Sequence, residues 1–390
     1  MMPVTARFAA SAIALIAAAL PLSPAARAQT LQQQFDQCIR KGNPPPDLRI
    51  AGCTALIQSG KFTGNDLAAV LNNRGLAYND NRQYNPAIQD YDQAIKLNPN
   101  YADAFYNRGL TYGDIGQHDR AIQDYDQAIK LNPDDANALE SRGLAYYNKT
   151  QYDRAIQDFD QAIKLKPNYA IAFNNRGLAY RSKGQYDRAI QDFDQAIKFN
   201  PNYADAFNNR GLVYGMRGKT DQAIQDFDQA IKLNPNNANA FNKRGNAYRI
   251  KGQYDRAIQD YDQAIKLNQN DADAFSNRGN AYLGKREYDR AIQDYDQAIK
   301  LNQNDANVFN NRGHAYLGKR EYDRAIQDYD QAIKLNPKYT FAFNNRGVVY
   351  TNKGQYDRAI QDFDQAIKLN PNYTLAIKNR AEAVAKKNKQ

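Results

Sequence analysis

Residues 170–203 read AIAFNNRGLAYRSKGQYDRAIQDFDQAIKFNPNY, and this stretch decides the fold. Phe173, Gly177 and Tyr180 stand at i, i+4 and i+7, one stripe of a helix. Tyr186, Ala189, Ile190, Phe193, Ala196 and Ile197 form a second stripe with the same period. Lys183-Gly184-Gln185 lies between them, and Gly there permits the left-handed residue that ends a helix. The second stripe stops before Asn200-Pro201, because proline disfavours helix in the residue that precedes it. The stretch therefore predicts helix, tight turn, helix, turn, an all-α unit.

The same unit recurs along the chain. Gly75, Gly109, Gly143, Gly177, Gly211, Gly245, Gly279, Gly313 and Gly347 are each 34 residues apart, and each sits in a run Arg-Gly-x-x-Tyr. With Ala68 as position 1, nine repeats follow without insertion or deletion: 68–101, 102–135, 136–169, 170–203, 204–237, 238–271, 272–305, 306–339 and 340–373. Position 8 is Gly and positions 20 and 27 are Ala in all nine, which leaves room for close helix approach. Position 11 is always Tyr and position 24 always Tyr or Phe, a pattern that accounts for the excess of Tyr, 28 residues against no Trp. These aromatics read as core packing.

These residues resemble the tetratricopeptide repeat, with its large residue at position 4, Gly at 8, Tyr at 11, Ala at 20, aromatic at 24, Ala at 27 and Pro at 32. The match covers residues 68–373. The resemblance implies a right-handed superhelical solenoid of helix-turn-helix repeats and a role in binding other proteins. Two departures stand out. Arg occupies position 7, where the family often has Leu, and Gln269 and Gln303 replace the closing Pro, so those two junctions are expected to be more pliable.

The ends differ from the array. Residues 1–28 combine a short segment with one positive charge, an apolar run from Phe8 to Leu20, and Ala26-Arg27-Ala28 before Gln29. That is the pattern of a cleaved secretory signal. A membrane anchor is the competing reading, but the apolar run is too short to span a bilayer. Its removal leaves 50 basic against 42 acidic residues, a net charge of +8. Residues 29–67 read as a degenerate leading hairpin: Ile50, Cys53, Leu56 and Ile57 have the spacing of a second helix, Lys41 to Pro46 form its turn, and Cys38 falls on the first helix. An exported chain meets an oxidising compartment, so Cys38 and Cys53 are expected to pair. Residues 374–390 read as a closing helix over Thr374 to Lys387, with a polar outer face and a frayed tail.

Charged positions carry two readings. On the second helices, Arg188 and Asp192, and Asp194 and Lys198, are spaced i,i+4 as solvated ion pairs. The nine Arg at position 7, Arg74 to Arg346, read either as stems packed between hairpins with the guanidinium on a repeat Asp, or as a ladder of anion-binding groups.

The resemblance places partner binding on the concave side, at positions 2, 5, 6 and 9 of the first helices. On this chain those positions include Asp103, Tyr106 and Asn107, then the pairs Asn174-Asn175 and Asn208-Asn209. Further along they include Asn242-Lys243, Asn310-Asn311 with His314, and Asn344-Asn345. An Asn amide both donates and accepts, so it can hold a peptide backbone without reading sequence. The repeats differ most here: position 2 runs from Ala69 to Phe341, and position 9 is Leu in the early repeats, then Asn246, Asn280, His314 and Val348. Variation there against a fixed frame is what a tailored surface would show; drift at exposed sites is the alternative.

No Ser-His-Asp set, metal-ligand spacing or phosphate-binding Gly loop is present, and no cofactor or enzymatic activity is expected. The sequence thus points to a periplasmic or secreted scaffold for protein or peptide partners. The alternative is a binder of an anionic polymer, motivated by the +8 charge; export argues against nucleic acid. Titration of the non-reduced mature protein with a thiol reagent is expected to find no free thiol, and two reactive thiols would refute the Cys38–Cys53 pairing.

Overall fold

The computed structural model describes residues 30–389; the expected signal segment, 1–28, lies outside the described residues. Among the described residues there are 21 α-helices and no strand. The chain forms two compact units that part between Phe199 and Asn200. The first holds the leading hairpin and four repeats, the second five repeats and the closing helix.

Each repeat is a helical hairpin of the form read from the sequence. In the fourth, Ala170–Ser182 is followed by Tyr186–Phe199. The turn is closed by Gly184 N–H donating to the Arg181 carbonyl and Gln185 N–H to the Tyr180 carbonyl, both at 2.9 Å, with Gly184 at φ +72°. Thr150 occupies the same turn position in the third repeat at φ +59°, a conformation that β-branched residues rarely adopt. The first repeat departs from the frame, because its first helix begins at Gly64, four residues before Ala68.

The two helices touch through the small positions. Ala172, Ala189, Phe193 and Ala196 have no exposed surface. A Cβ built on Gly177 would lie 2.7 Å from Phe193 Cε1, closer than real Cβ atoms approach. Gly at position 8 is therefore required by the ring at position 24 and not by a turn.

Arg at position 7 links the hairpins. Arg176 Nε and Nη2 donate to the two carboxylate oxygens of Asp192 at 2.8 and 2.6 Å, within the hairpin. Its Nη1 donates to Asp160 Oδ1, in the preceding repeat, at 2.5 Å. All nine position-7 arginines hold the Asp at position 23 of their own hairpin through this bidentate edge. The packing reading of these residues is the one observed. The expected Arg188–Asp192 pair is not formed. Asp192 is only 4% exposed and committed to Arg176, while Arg188 lies over the Tyr180 ring, 5.5 Å from its centroid, and donates to Gln185 Oε1. Spacing along one helix could not reveal that the partner helix offers this carboxylate a better donor.

The leading hairpin comprises Leu31–Cys38 and Pro46–Gln58 and is joined by the Cys38–Cys53 disulfide. Closing a loop of 15 residues in the unfolded chain contributes about 3 kcal/mol. The closing helix spans Thr374–Lys387 and buries Ala376 and Ala383. Gly177→Ala is expected to destabilise the fourth repeat by about 1–3 kcal/mol through displacement of Phe193. Hydrogen exchange that is unchanged in helices 170–182 and 186–199 would contradict this packing.

Candidate functional site

The first helix of every repeat turns one face to its second helix and leaves the other open. In the fourth repeat Ala172, Gly177 and Ala179 are buried, whereas Ile171 at position 2 is 40% exposed. Phe341, at position 2 of the ninth repeat, is 56% exposed. Position 9 also borders the open face, with Leu144 at 37%.

The asparagines at positions 5 and 6 do something different from the role expected of them. Asn174, Asn208, Asn242, Asn310 and Asn344 are 2–9% exposed, as is Asn107. Apart from Asn208, whose Oδ1 is buried without a partner, they belong to an amide ladder that crosses from repeat to repeat. Asn107 Nδ2 donates to Asn72 Oδ1 at 2.9 Å, Asn277 to Asn242 at 2.9 Å, and Asn345 to Asn310 at 3.0 Å. Within a repeat, Asn174, Asn310 and Asn344 donate to Asn175, Asn311 and Asn345 at 3.1–3.2 Å. Asn379 of the closing helix continues the ladder to Asn344 at 2.9 Å. Neighbouring first helices pack closely enough to bury these amides, and a buried amide must be hydrogen-bonded. The reading of the position-5 asparagines as groups held open for a peptide is corrected accordingly. Asn209 lies half-buried beside Asn208 on the same helix.

Other expected residues vary the ladder. Glu140 stands at position 5 of the third repeat, where five of the six later repeats have Asn; it is 8% exposed and accepts from Asn175 Nδ2 at 2.6 Å. Burial pushes its carboxyl up to about 6, against the opposing hydrogen bonds of Asn175 and Ser141. Tyr106 packs on Tyr125 with ring centroids 5.9 Å apart, and its hydroxyl lies 3.5 Å from Ser141 Oγ. Asp103, at position 2, has its carboxyl raised by burial and by Asp135. In the second compact unit Lys243 is half-buried and forms no ion pair among the described residues. His314 reaches the open face, with a pKa lowered by partial desolvation of its ring.

One set of partners was not read from the sequence. Tyr261 Oη donates to Asn246 Oδ1 at 2.9 Å, and Tyr295 Oη to Asn280 Oδ1 at 2.8 Å. Each pair joins position 24 to position 9 of one repeat. The signal was available: repeats with Phe at 24 carry Leu or Val at 9, and Tyr at 24 accompanies Asn or His at 9 in the sixth to eighth repeats, although in the eighth the Tyr329 hydroxyl is buried without a partner. Among the described residues no group of three or more His, Cys, Asp or Glu side chains is arranged to hold a metal ion, and no helix is long and apolar enough to cross a membrane.

Glu140 gives the array a pH-dependent element. Its folded pKa lies above the ordinary value of 4.5, so between about pH 4.5 and 6 the folded chain holds a proton that the unfolded chain has released. Its contribution is therefore least favourable above pH 6 and is relieved as pH falls through 6 toward 4.5. Glu140→Gln is expected to stabilise the protein by about 2 kcal/mol at pH 7.5 and to change nothing at pH 4.5. Urea unfolding of both forms at the two pH values measures this, and an equal difference at both would contradict it.

Family models described as tetratricopeptide or TPR repeat match residues 75–116, 177–218 and 245–285; 106–170; 204–237, 272–305, 306–339 and 341–373; and 159–191 and 227–259. Among solved structures, a chain of the APC/C hetero-tetramer Cut9–Hcn1 aligns with a TM-score of 0.54 and 16% identity, over 87% of this chain and 83% of that one. A tetratricopeptide repeat protein from Parabacteroides merdae ATCC 43184 aligns with a TM-score of 0.52 and 19% identity, over 64% and 98%. These likenesses show the fold. A search of curated proteins gives no match. With the hairpin period, the Gly–aromatic contact and the family models in agreement, the chain belongs to the tetratricopeptide-repeat family.

Proposed function

We propose that the protein is an exported, non-catalytic scaffold that binds segments of partner proteins along the open face of its first helices. The observation that carries this reading is the division of labour within each repeat. Positions 7, 8 and 23 repeat without change and are spent on the frame, while positions 2 and 9 change from repeat to repeat and are accessible. Ile171 and Phe341 keep much of their apolar surface open, although one edge of Phe341 packs on Tyr339 and Tyr373. They offer about 1–3 kcal/mol each to a partner that covers them. The family's fold is one used for protein interaction, in keeping with this reading.

The Cys38–Cys53 disulfide supports an oxidising location, since such bonds persist outside the reducing cytosol. The segment 1–28 has the pattern of an export signal. Both support action at the cell envelope or beyond it.

The test compares proteins captured from envelope extract by the mature chain and by a variant carrying Ile171→Ser, Phe341→Ser and His314→Ala. These changes lie on the open face and leave the arginine staples and the amide ladder intact. Captured proteins are expected to be lost from the variant, and identical capture by both would refute the open-face reading.

A further inference from the structure

The hairpin turns of the second compact unit form an edge that the frame does not use. Met216 and Ile250, the last residues of helices Ala204–Met216 and Ala238–Ile250, are 58% and 67% exposed. They are the most exposed large apolar side chains among the described residues, and both stand at position 13 in adjacent repeats. In the other seven repeats position 13 is Asp, Asn, Ser or Gly, as at Ser182, Gly284 and Asn352.

The next two turns carry charge in place of apolar surface. Arg286 and Arg320 occupy position 15 at φ +61° and +62°, a conformation in which a side chain is strained. Gly218, Gly252 and Gly354 hold that position in the other repeats of this unit. Strain kept where the chain elsewhere uses Gly points to a role for the side chain itself. Both arginines are exposed, and neither forms an ion pair among the described residues. Their neighbours Lys285 and Lys319 are committed, one to Asp255 and Glu287, the other to Asp289 and Glu321. Lys219, in the turn after Met216, and Lys389, past the closing helix, are also exposed and without an ion pair. Positions 12–18 of these five repeats hold nine basic and seven acidic residues, and the closing helix and its tail add Lys386, Lys387 and Lys389 in the same register without an acid. In the four repeats of the first unit the same positions hold four basic and five acidic residues.

We infer that this turn edge seats the protein on an anionic lipid surface, with Met216 and Ile250 entering the interfacial layer and Lys219, Arg286, Arg320 and Lys389 lying over the headgroup phosphates. A few exposed apolar groups beside unpaired cations are the pattern of reversible interfacial attachment, in which the two contributions act together. Successive first helices stand roughly 10 Å apart, so these groups are spread one or two to a turn along the edge. A protein partner would need a matching row of acids and apolar pockets at that spacing. Lipids diffuse to each tip and need no such match. Export, as read above, brings the chain to the face of a bilayer; partner binding on the open face is a separate matter, because the turns lie beyond positions 2, 5, 6 and 9.

The array itself supplies the folding control. Met216→Ser, Ile250→Asn, Arg286→Gly and Arg320→Gly each install the residue type that the same position holds in another repeat, at Ser182, Asn352, Gly218 and Gly252. The fourfold variant therefore copies turns that this chain already folds. Its melting temperature by circular dichroism is expected to equal or exceed that of the parent, because Gly relieves the positive φ at two turns. Two half variants, one with the Met216 and Ile250 changes and one with the Arg286 and Arg320 changes, separate the apolar from the charged contribution.

Co-sedimentation of the mature chain with vesicles of phosphatidylcholine alone, or of equal parts phosphatidylcholine and phosphatidylglycerol, measures the attachment. The mature chain lacks the apolar run Phe8 to Leu20, so that run cannot contribute. Partitioning to the anionic vesicles is expected to exceed that to the neutral ones by at least about tenfold in dilute buffer and to fall as salt rises. The fourfold variant is expected to lose at least about tenfold in partitioning to the anionic vesicles, and each half variant a part of that. Equal partitioning to both kinds of vesicle overturns the inference, and so does attachment that the fourfold variant retains. Failure to sediment with either kind overturns it too and leaves the open-face reading to the capture experiment, whose Ile171, Phe341 and His314 changes lie elsewhere. Binding of soluble polyglutamate that the fourfold variant weakens, without attachment to vesicles, would assign the edge to an acidic protein and overturn the lipid partner.

Discussion

A single guanidinium at position 7 does the work of both local and long-range assembly. Its Nε–Nη2 edge takes the Asp at position 23 bidentately and fixes the two helices of one hairpin. In most repeats its Nη1 reaches the Asp at position 25 of the hairpin before. A lone buried Asp192 would be costly, because an uncompensated buried charge destabilises by about 3–5 kcal/mol. The family's frequent Leu at this position gives packing without direction. Arg gives packing along its stem and a register that a slip of one residue would break. Arg380, on the closing helix, holds Asp364 alone, so there the same side chain serves only the contact between hairpins.

That staple leaves the open face free to vary. Because stability is carried by the small positions, the rings at position 24 and the Arg–Asp forks, positions 2 and 9 can change without loss of the frame. The changes are not scattered. In the second compact unit, polar groups at position 9 coincide with a hydroxyl at position 24, and apolar groups coincide with Phe. A surface that merely drifted would not adjust a buried ring to an exposed neighbour. In the first compact unit the comparable region bears Asp103 and Glu140, with carboxyls raised by burial, so the two parts of the array offer different chemistry.

The sequence by itself determined the fold class, the 34-residue frame, both end pieces and the identity of the core, because each is a matter of local periodicity and of side-chain size repeated in register. It also placed the variable positions, since their neighbours do not change. Tertiary structure decided which polar side chains are available. Asn174 and Asn344 look like free amides in the sequence and are buried between helices 35 residues apart. Asp192 looks like the partner of Arg188 and belongs to Arg176. Tyr261 looks like core and turns out to orient Asn246. In every case the deciding contact comes from another helix, and a hydrogen bond's direction depends on which donor that helix brings within about 3 Å, a distance that periodicity along one chain segment does not encode.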